Sequence, residues 1–143
     1  MIRFAAPIQW RPLSSNVRRL KTHGHGMEAA LNAIHDSPDA FFASGGKSTL
    51  KFTQSAAVRI CLSAASLGYV VARVEGGIWH QPGFEARGDC IWDGAEPPID
   101  VVAAQANNVD AADFIRKEAQ VHNAFVLTAP PLSGWPYHRD AKQ

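Results

Sequence analysis

The run Phe84–Trp92, FEARGDCIW, alternates with period two, and it constrains the fold more tightly than any other stretch of the chain. In an extended backbone Phe84, Ala86, Gly88, Cys90 and Trp92 point one way, and Glu85, Arg87, Asp89, Ile91 and Asp93 point the other. A strand with one apolar and one charged side suits a sheet with a solvated face. The surrounding segment Gly76–Gly94 gathers five glycines, Pro82, Trp79, Trp92, His80 and Cys90. Gly76-Gly77 and Pro82-Gly83 are expected to bracket a long turn. Tyr69–Glu75, rich in β-branched and aromatic residues, is the predicted antiparallel neighbour.

The flanking segments read as helices and one further strand. Thr53 is a predicted N-cap for a helix over Gln54–Leu67, with Ala57, Ile60, Cys61, Ala64 and Leu67 along one face and Gly68 as C-cap. Pro98 is expected to open a helix running to about Gln105. Asn107-Asn108 then reads as a break, with Asn108 capping a second piece through about His122, faced by Val109, Ala112, Ile115 and Ala119. Ala124–Thr128 is a short buried strand. Upstream, Met27–His35 has helical spacing, Pro38 opens a short helix holding Phe41 and Phe42, and Ser44–Lys47 is a loop. Ile2–Trp10 suggests a strand and Asn16–Lys21 a short helix. The predicted fold class is α+β: a small antiparallel-rich sheet, made of a hairpin over about 69–92 and a strand near 124–128, with helices packed on one face. One globular domain is expected over 1–143, with an irregular basic arm at 1–22 and a Pro-rich tail at 130–143.

Length and composition narrow the class of protein. A chain of 143 residues with 46% hydrophobic and 19% charged residues can bury a core without staples. Two cysteines, Cys61 and Cys90, both inside predicted elements, do not make a disulfide scaffold. Both are expected to be reduced thiols filling the core of a cytoplasmic protein. No apolar run approaches the roughly 18 residues of a membrane span. The formal net charge of +1 hides an asymmetry. Residues 1–27 carry five bases and no acid, whereas Glu75–Asp113 carries eight acids against the single base Arg87. Charge divided this way along a chain commonly becomes charge divided over its surface.

Four constellations could carry chemistry. Gly46-Lys47-Ser48-Thr49 has the tail of a phosphate-binding loop, but Phe41 stands where its first glycine belongs, so the backbone cradle is missing. His23 and His25 could chelate a metal only with a third ligand brought in by folding, such as His80, Asp89 or His122. Cys90, His80 and Asp89 supply the types of a thiol nucleophile, its base and an orienting acid, but Cys90 and Asp89 are expected on opposite strand faces. The basic arm, with Trp10 nearby, resembles a nucleic-acid contact in a protein whose overall charge is too low for that role. No catalytic set, cofactor or metal site is therefore assigned.

Recognition is the better use of the hairpin. Trp79 and His80 are expected at its tip, beside the row Glu85, Arg87, Asp89 and Asp93. Exposed Trp is enriched in binding hot spots, and aligned carboxylates steer a basic partner. The reading favoured is a small cytoplasmic protein-binding module of the bacterial immunity type, an inhibitor whose partner has a basic surface, as a nuclease toxin domain does. The alternatives are a homo-oligomeric assembly protein and a small hydrolase using His80 with nearby carboxylates. Neither nucleic acid nor a membrane is expected as a partner.

Overall fold

The apolar segment Ala124–Thr128 takes the central position in the sheet, because both of its neighbours are needed to bury it. The computed structural model describes residues 33–81 and 83–136. Along the chain lie β1 (Ile34–His35), α1 (Asp39–Ala43), β2 (Lys51–Phe52), α2 (Gln54–Ala64) with a 3-10 extension (Ala65–Leu67), β3 (Arg73–His80), β4 (Gly83–Asp93), α3 (Val101–Glu118) and β5 (Ala124–Thr128). The five strands form one mixed sheet in the order β1-β2-β5-β3-β4. The pairing of β1 with β2 is parallel and the others are antiparallel. The expected α+β class holds, with a sheet wider than the hairpin and single strand read from the sequence. Within the described residues no helix is long and apolar enough to cross a membrane.

Helix α2 forms as its sequence directs. Thr53 Oγ1 accepts from the Ala56 N–H at 3.2 Å and donates to Asp36 Oδ1 at 2.8 Å. Gly68 closes the 3-10 extension in the left-handed region at φ 96°, where a side chain is disfavoured. Ala57, Ile60, Cys61 and Ala64 are fully buried, while Leu67 is 56% exposed. The tighter 3-10 turn ends the α-helical phase that would have carried Leu67 inward. Phe41 of α1, Phe52 of β2 and Phe125 of β5 are also fully buried, and Phe41 meets Phe52 edge-on with centroids 5.8 Å apart, a favoured aromatic geometry. The Gly45-Gly46 turn seats against β5: the Ala129 N–H donates to the Gly46 carbonyl at 2.8 Å. A Cβ on Gly46 would collide with the Ala129 carbonyl oxygen. Gly46 of the phosphate-loop look-alike is thus used for close backbone packing.

The expected break at Asn107-Asn108 does not occur. Helix α3 is continuous through both and is capped by Asp100, whose Oδ1 accepts from the Ala103 N–H at 2.8 Å; it does not start at Pro98. The two amides bond across to the neighbouring backbone instead of competing for their own. Asn108, fully buried, accepts the Val71 N–H at 2.8 Å and donates to the Tyr69 carbonyl at 3.2 Å. Asn107 donates to the Val71 carbonyl at 2.8 Å and accepts the Ala95 N–H at 2.8 Å. The segment 69–71 is therefore held by side chains, and β3 begins only at Arg73, not at Tyr69. Ile34 and His35, read as the end of a helix, are a strand. The predicted strand over Ile2–Trp10, the helix over Asn16–Lys21, the start of the Met27–His35 helix, the arm 1–22 and the pair His23 and His25 lie outside the described residues.

Asn108→Ala should leave the Val71 N–H and the Tyr69 carbonyl buried without partners. A cost of about 1–3 kcal/mol for each orphaned group is expected, read as a lower urea midpoint with an unchanged slope. Thr53→Ala should cost about 1 kcal/mol in the same assay.

Candidate functional site

The hairpin β3–β4 carries every residue singled out for partner binding, and its register decides how they are displayed. Glu75 pairs with Ile91 and Gly77 with Ala86. Four residues of β4, Arg87 to Cys90, thus face the single residue Gly76. This bulge inserts an odd excess of residues, and an odd insertion inverts the alternation of side chains. Directly paired residues share a face, so Glu85 lies with Ile78 and Asp93 with Arg73. Ile78 and Arg73 are on opposite faces of β3. The single outward row expected from period two is therefore split, with Glu85 and Asp93 leaving the hairpin on different sides.

Gly76 explains why the bulge sits where it does. A Cβ there would collide with Cys90 Sγ and come within 3.2 Å of Phe125. The missing side chain lets Cys90 pack onto the β3 backbone, and Cys90 is fully buried as expected. Gly76 and Gly77 are interior strand residues, not the start of a long turn. Trp79 and His80 likewise belong to β3, paired with Phe84 and Gly83, and the connection between the strands is short. Trp79 is half-buried, with its N–H donating to Asn123 Oδ1 at 2.8 Å and its indole donating to Gln81 at 3.3 Å.

The charged residues form two clusters. Near the hairpin end, His80 Nε2 and Glu85 Oε1 are 2.7 Å apart, and Arg87 Nε lies 3.0 Å from Glu85 Oε2. Near its base, Arg73 spans Glu75 at 3.0 Å and Asp93 at 2.7 Å. Asp89 is exposed on the bulge between them. The His80 hydrogen bond first, and the Arg87 charge second, hold the Glu85 carboxyl below the ordinary glutamate range. Hydrogen bonding to Glu75, reinforced by Asp93, raises the Arg73 guanidinium. These are solvent-facing pairs on the β3–β4 hairpin, whose second strand is the edge of the sheet.

Cys90, His80 and Asp89 do not converge on a nucleophilic site. His80 is engaged with Glu85, whereas Cys90 Sγ lies 3.7 Å from Glu118 Oε1 beneath the sheet. Burial, with the Glu118 carboxylate second, pushes the Cys90 thiol up to about 11. Burial likewise pushes Cys61 up to about 12. Sequence reasoning missed Glu118 as a neighbour of Cys90 and His122. The legible signal was the Glu118–His122 spacing, which sets two ligand-type side chains on one helical face.

Comparison with known proteins places the chain in a family. Residues 50–129 match the sequence profile of a family described as Colicin-E5 Imm protein. Immunity protein CdiI of Burkholderia pseudomallei is 53% identical over 109 residues, covering 76% of this chain and 100% of the relative. The class is thereby that of immunity-type inhibitors of toxins. The chain belongs to the colicin-E5 immunity protein family. The matched span runs from the residue before β2 to the residue after β5, so it includes the whole hairpin and both long helices.

The Glu85 cluster has a measurable signature. Its lowered carboxyl contributes stability that is present above the ordinary glutamate range and is lost as pH falls through the lowered value. In a carbonyl-detected NMR titration Glu85 should protonate later, on acidification, than an unperturbed glutamate. His80→Ala should move its midpoint up, and so should Arg87→Ala by a smaller amount.

Proposed function

We propose that this immunity protein captures its toxin through the β3–β4 hairpin, with Trp79, His80, Glu85, Arg87, Asp89 and Asp93 as contact residues. In this reading the toxin surface is basic, as the substrate groove of a nuclease is, and the encounter takes place in the cytoplasm. Carboxylates then occupy positions that substrate phosphates would take and attract the toxin over distance. The observation that carries the reading is the edge position of β4, which presents Glu85, Asp89 and Asp93 to solvent in a segment with few bases. Trp79 adds a half-buried aromatic surface beside them, of the kind that anchors interfaces. Family membership supports the inhibitory role; the choice of surface rests on the geometry.

The split of the acids over two faces shapes the proposal. A toxin would grip the edge of β4, touching Glu85 on one side and Asp93 on the other, with Asp89 between. Arginine or lysine of the toxin would replace Arg87 and His80 at Glu85, and Arg73 at Asp93. Exposed pairs of this sort are worth about 0–1 kcal/mol each, so exchanging them costs little.

Replacing Glu85, Asp89 and Asp93 together by lysine should leave the circular-dichroism spectrum unchanged. Association with the cognate toxin domain should slow by roughly tenfold or more at low salt, and the gap from the unsubstituted protein should close as salt rises. Equal association rates for the two proteins in stopped-flow fluorescence would place the toxin elsewhere.

A further inference from the structure

Beneath the hairpin, on the side away from solvent, three ligand-type side chains converge from two elements. Cys90 comes from β4, Glu118 is the last residue of α3, and His122 lies just beyond it. The Cys90 Sγ, a Glu118 carboxylate oxygen and a His122 ring nitrogen all lie within 4.8 Å of one another. Glu118 Oε1 is 3.7 Å from Cys90 Sγ and 3.4 Å from His122 Nδ1. Tetrahedral zinc, with bonds of about 2.3 Å to sulfur and about 2.0–2.1 Å to nitrogen or oxygen, sets its ligand atoms roughly 3.3–3.6 Å apart. The observed spacing therefore needs only small side-chain adjustments to close on one ion.

A second observation is independent of that spacing. The His122 side chain is 6% exposed, and its Nδ1 is buried with no hydrogen-bond partner. It faces the Glu118 carboxylate at 3.4 Å without the geometry of a hydrogen bond. A buried ring nitrogen aimed at a carboxylate and a thiol but bonded to neither is an anomaly for a purely structural cluster. A cation placed among the three would satisfy it.

The backbone around the cluster holds it in place. The His122 N–H donates to the Glu118 carbonyl at 2.9 Å, continuing the helical turn, and the Asn123 N–H donates to the Gly77 carbonyl at 3.0 Å. Gly76 leaves the room that Cys90 Sγ fills. Glu118 retains 26% exposure of its side chain, which leaves a way in from solvent.

We propose that Cys90, Glu118 and His122 form a binding site for a borderline-soft divalent cation of the zinc class. The thiol and imidazole select against magnesium and calcium, which take oxygen ligands. Three protein ligands leave a fourth position for water or for a group of a bound partner. The ion joins the C-terminus of α3 to the bulge of β4, and so fixes the underside of the hairpin. The site uses none of the residues proposed to contact the toxin.

The test uses cobalt(II) as a spectroscopic substitute for zinc on the full, tag-free chain after chelator treatment. One equivalent should produce a thiolate-to-cobalt charge-transfer band with visible bands of tetrahedral intensity, and zinc should bleach both. The band should vanish in Cys90→Ser and persist in Cys61→Ser. His122→Ala and Glu118→Gln should each weaken cobalt binding at least tenfold. A His23→Ala/His25→Ala chain should behave as the unsubstituted protein. Zinc should also raise the melting temperature of the unsubstituted chain and leave that of His122→Ala unmoved. Absence of a thiolate band in the folded unsubstituted protein would overturn the site, as would a band surviving Cys90→Ser. Should Cys90→Ser fail to fold, undiminished cobalt affinity in both His122→Ala and Glu118→Gln would overturn it equally.

Discussion

Two adjacent asparagine side chains hold the helical layer to the sheet. The segment 69–71 runs from the end of the 3-10 turn toward β3; its Tyr69 carbonyl and both Val71 backbone groups are satisfied by Asn107 and Asn108 of α3, while the Tyr69 and Val70 N–H groups donate to the Ala64 and Pro130 carbonyls. Asn107 also accepts the Ala95 N–H, just past β4. One turn of α3 thereby fixes where β3 starts and where β4 ends. Both amides are bonded through oxygen and nitrogen, to backbone and to each other, so the buried polarity that would ordinarily penalise a helix interior is compensated. An apolar pair at these positions would pack, but it would leave the Tyr69 carbonyl and both Val71 backbone groups without these partners. The small residues Ala104, Ala111 and Ala112 on the same helix are fully buried, and they let α3 approach α2 and the sheet closely enough for the amides to reach.

From that anchor the hairpin follows. β3 is committed to β5 over Arg73–Gly77 in continuous antiparallel register. β4 must then accommodate both the fixed end at Ala95 and the pairing of its far half with Gly77–His80. It does so by bulging opposite Gly76, the place where no side chain of β3 stands in the way. The bulge puts Cys90 in the interior and Asp89 on the surface, and it inverts the faces of everything beyond it. Function and packing are coupled at that point, since one glycine governs both the buried thiol and the display of the acids.

What could be read from the sequence was what is encoded locally. Thr53, the face Ala57-Ile60-Cys61-Ala64 and Gly68 specify α2 by capping and periodicity, and the structure agrees at each. Ala124–Thr128 was legible as a buried strand because its apolarity is continuous. The strand character of Phe84–Trp92 was legible too, as were the buried Cys90 and the charge of the segment. The faces were not. Period two predicts a single row only if pairing is uninterrupted, and the bulge depends on Gly76 meeting Cys90 across the strands, a tertiary fact. Asn107-Asn108 looked like a break because asparagine competes for backbone groups, and the backbone it satisfies is 12 to 39 residues away. The two-residue strands β1 and β2 carry too few side chains for a periodic signal, and exist through pairing with one another and with β5.

The ion pairs of the hairpin bear on how the carboxylates are held before a partner arrives. A row of unmatched carboxylates would repel itself and would loosen the edge strand. Here Glu85 is matched by His80 and Arg87, and Asp93 by Arg73, in pairs exposed enough that water screens them. Such pairs orient the carboxylates without binding them tightly, so the free protein already holds the geometry that the proposed basic partner would need. In the proposed complex, pre-orientation would lower the entropy lost on docking, and the resident side chains would yield their places to basic groups of the partner. Asp89, raised on the bulge, adds a carboxylate between the two clusters. In the proposed complex, charge neutralised within the chain and charge offered to the partner would be the same groups in two pairings.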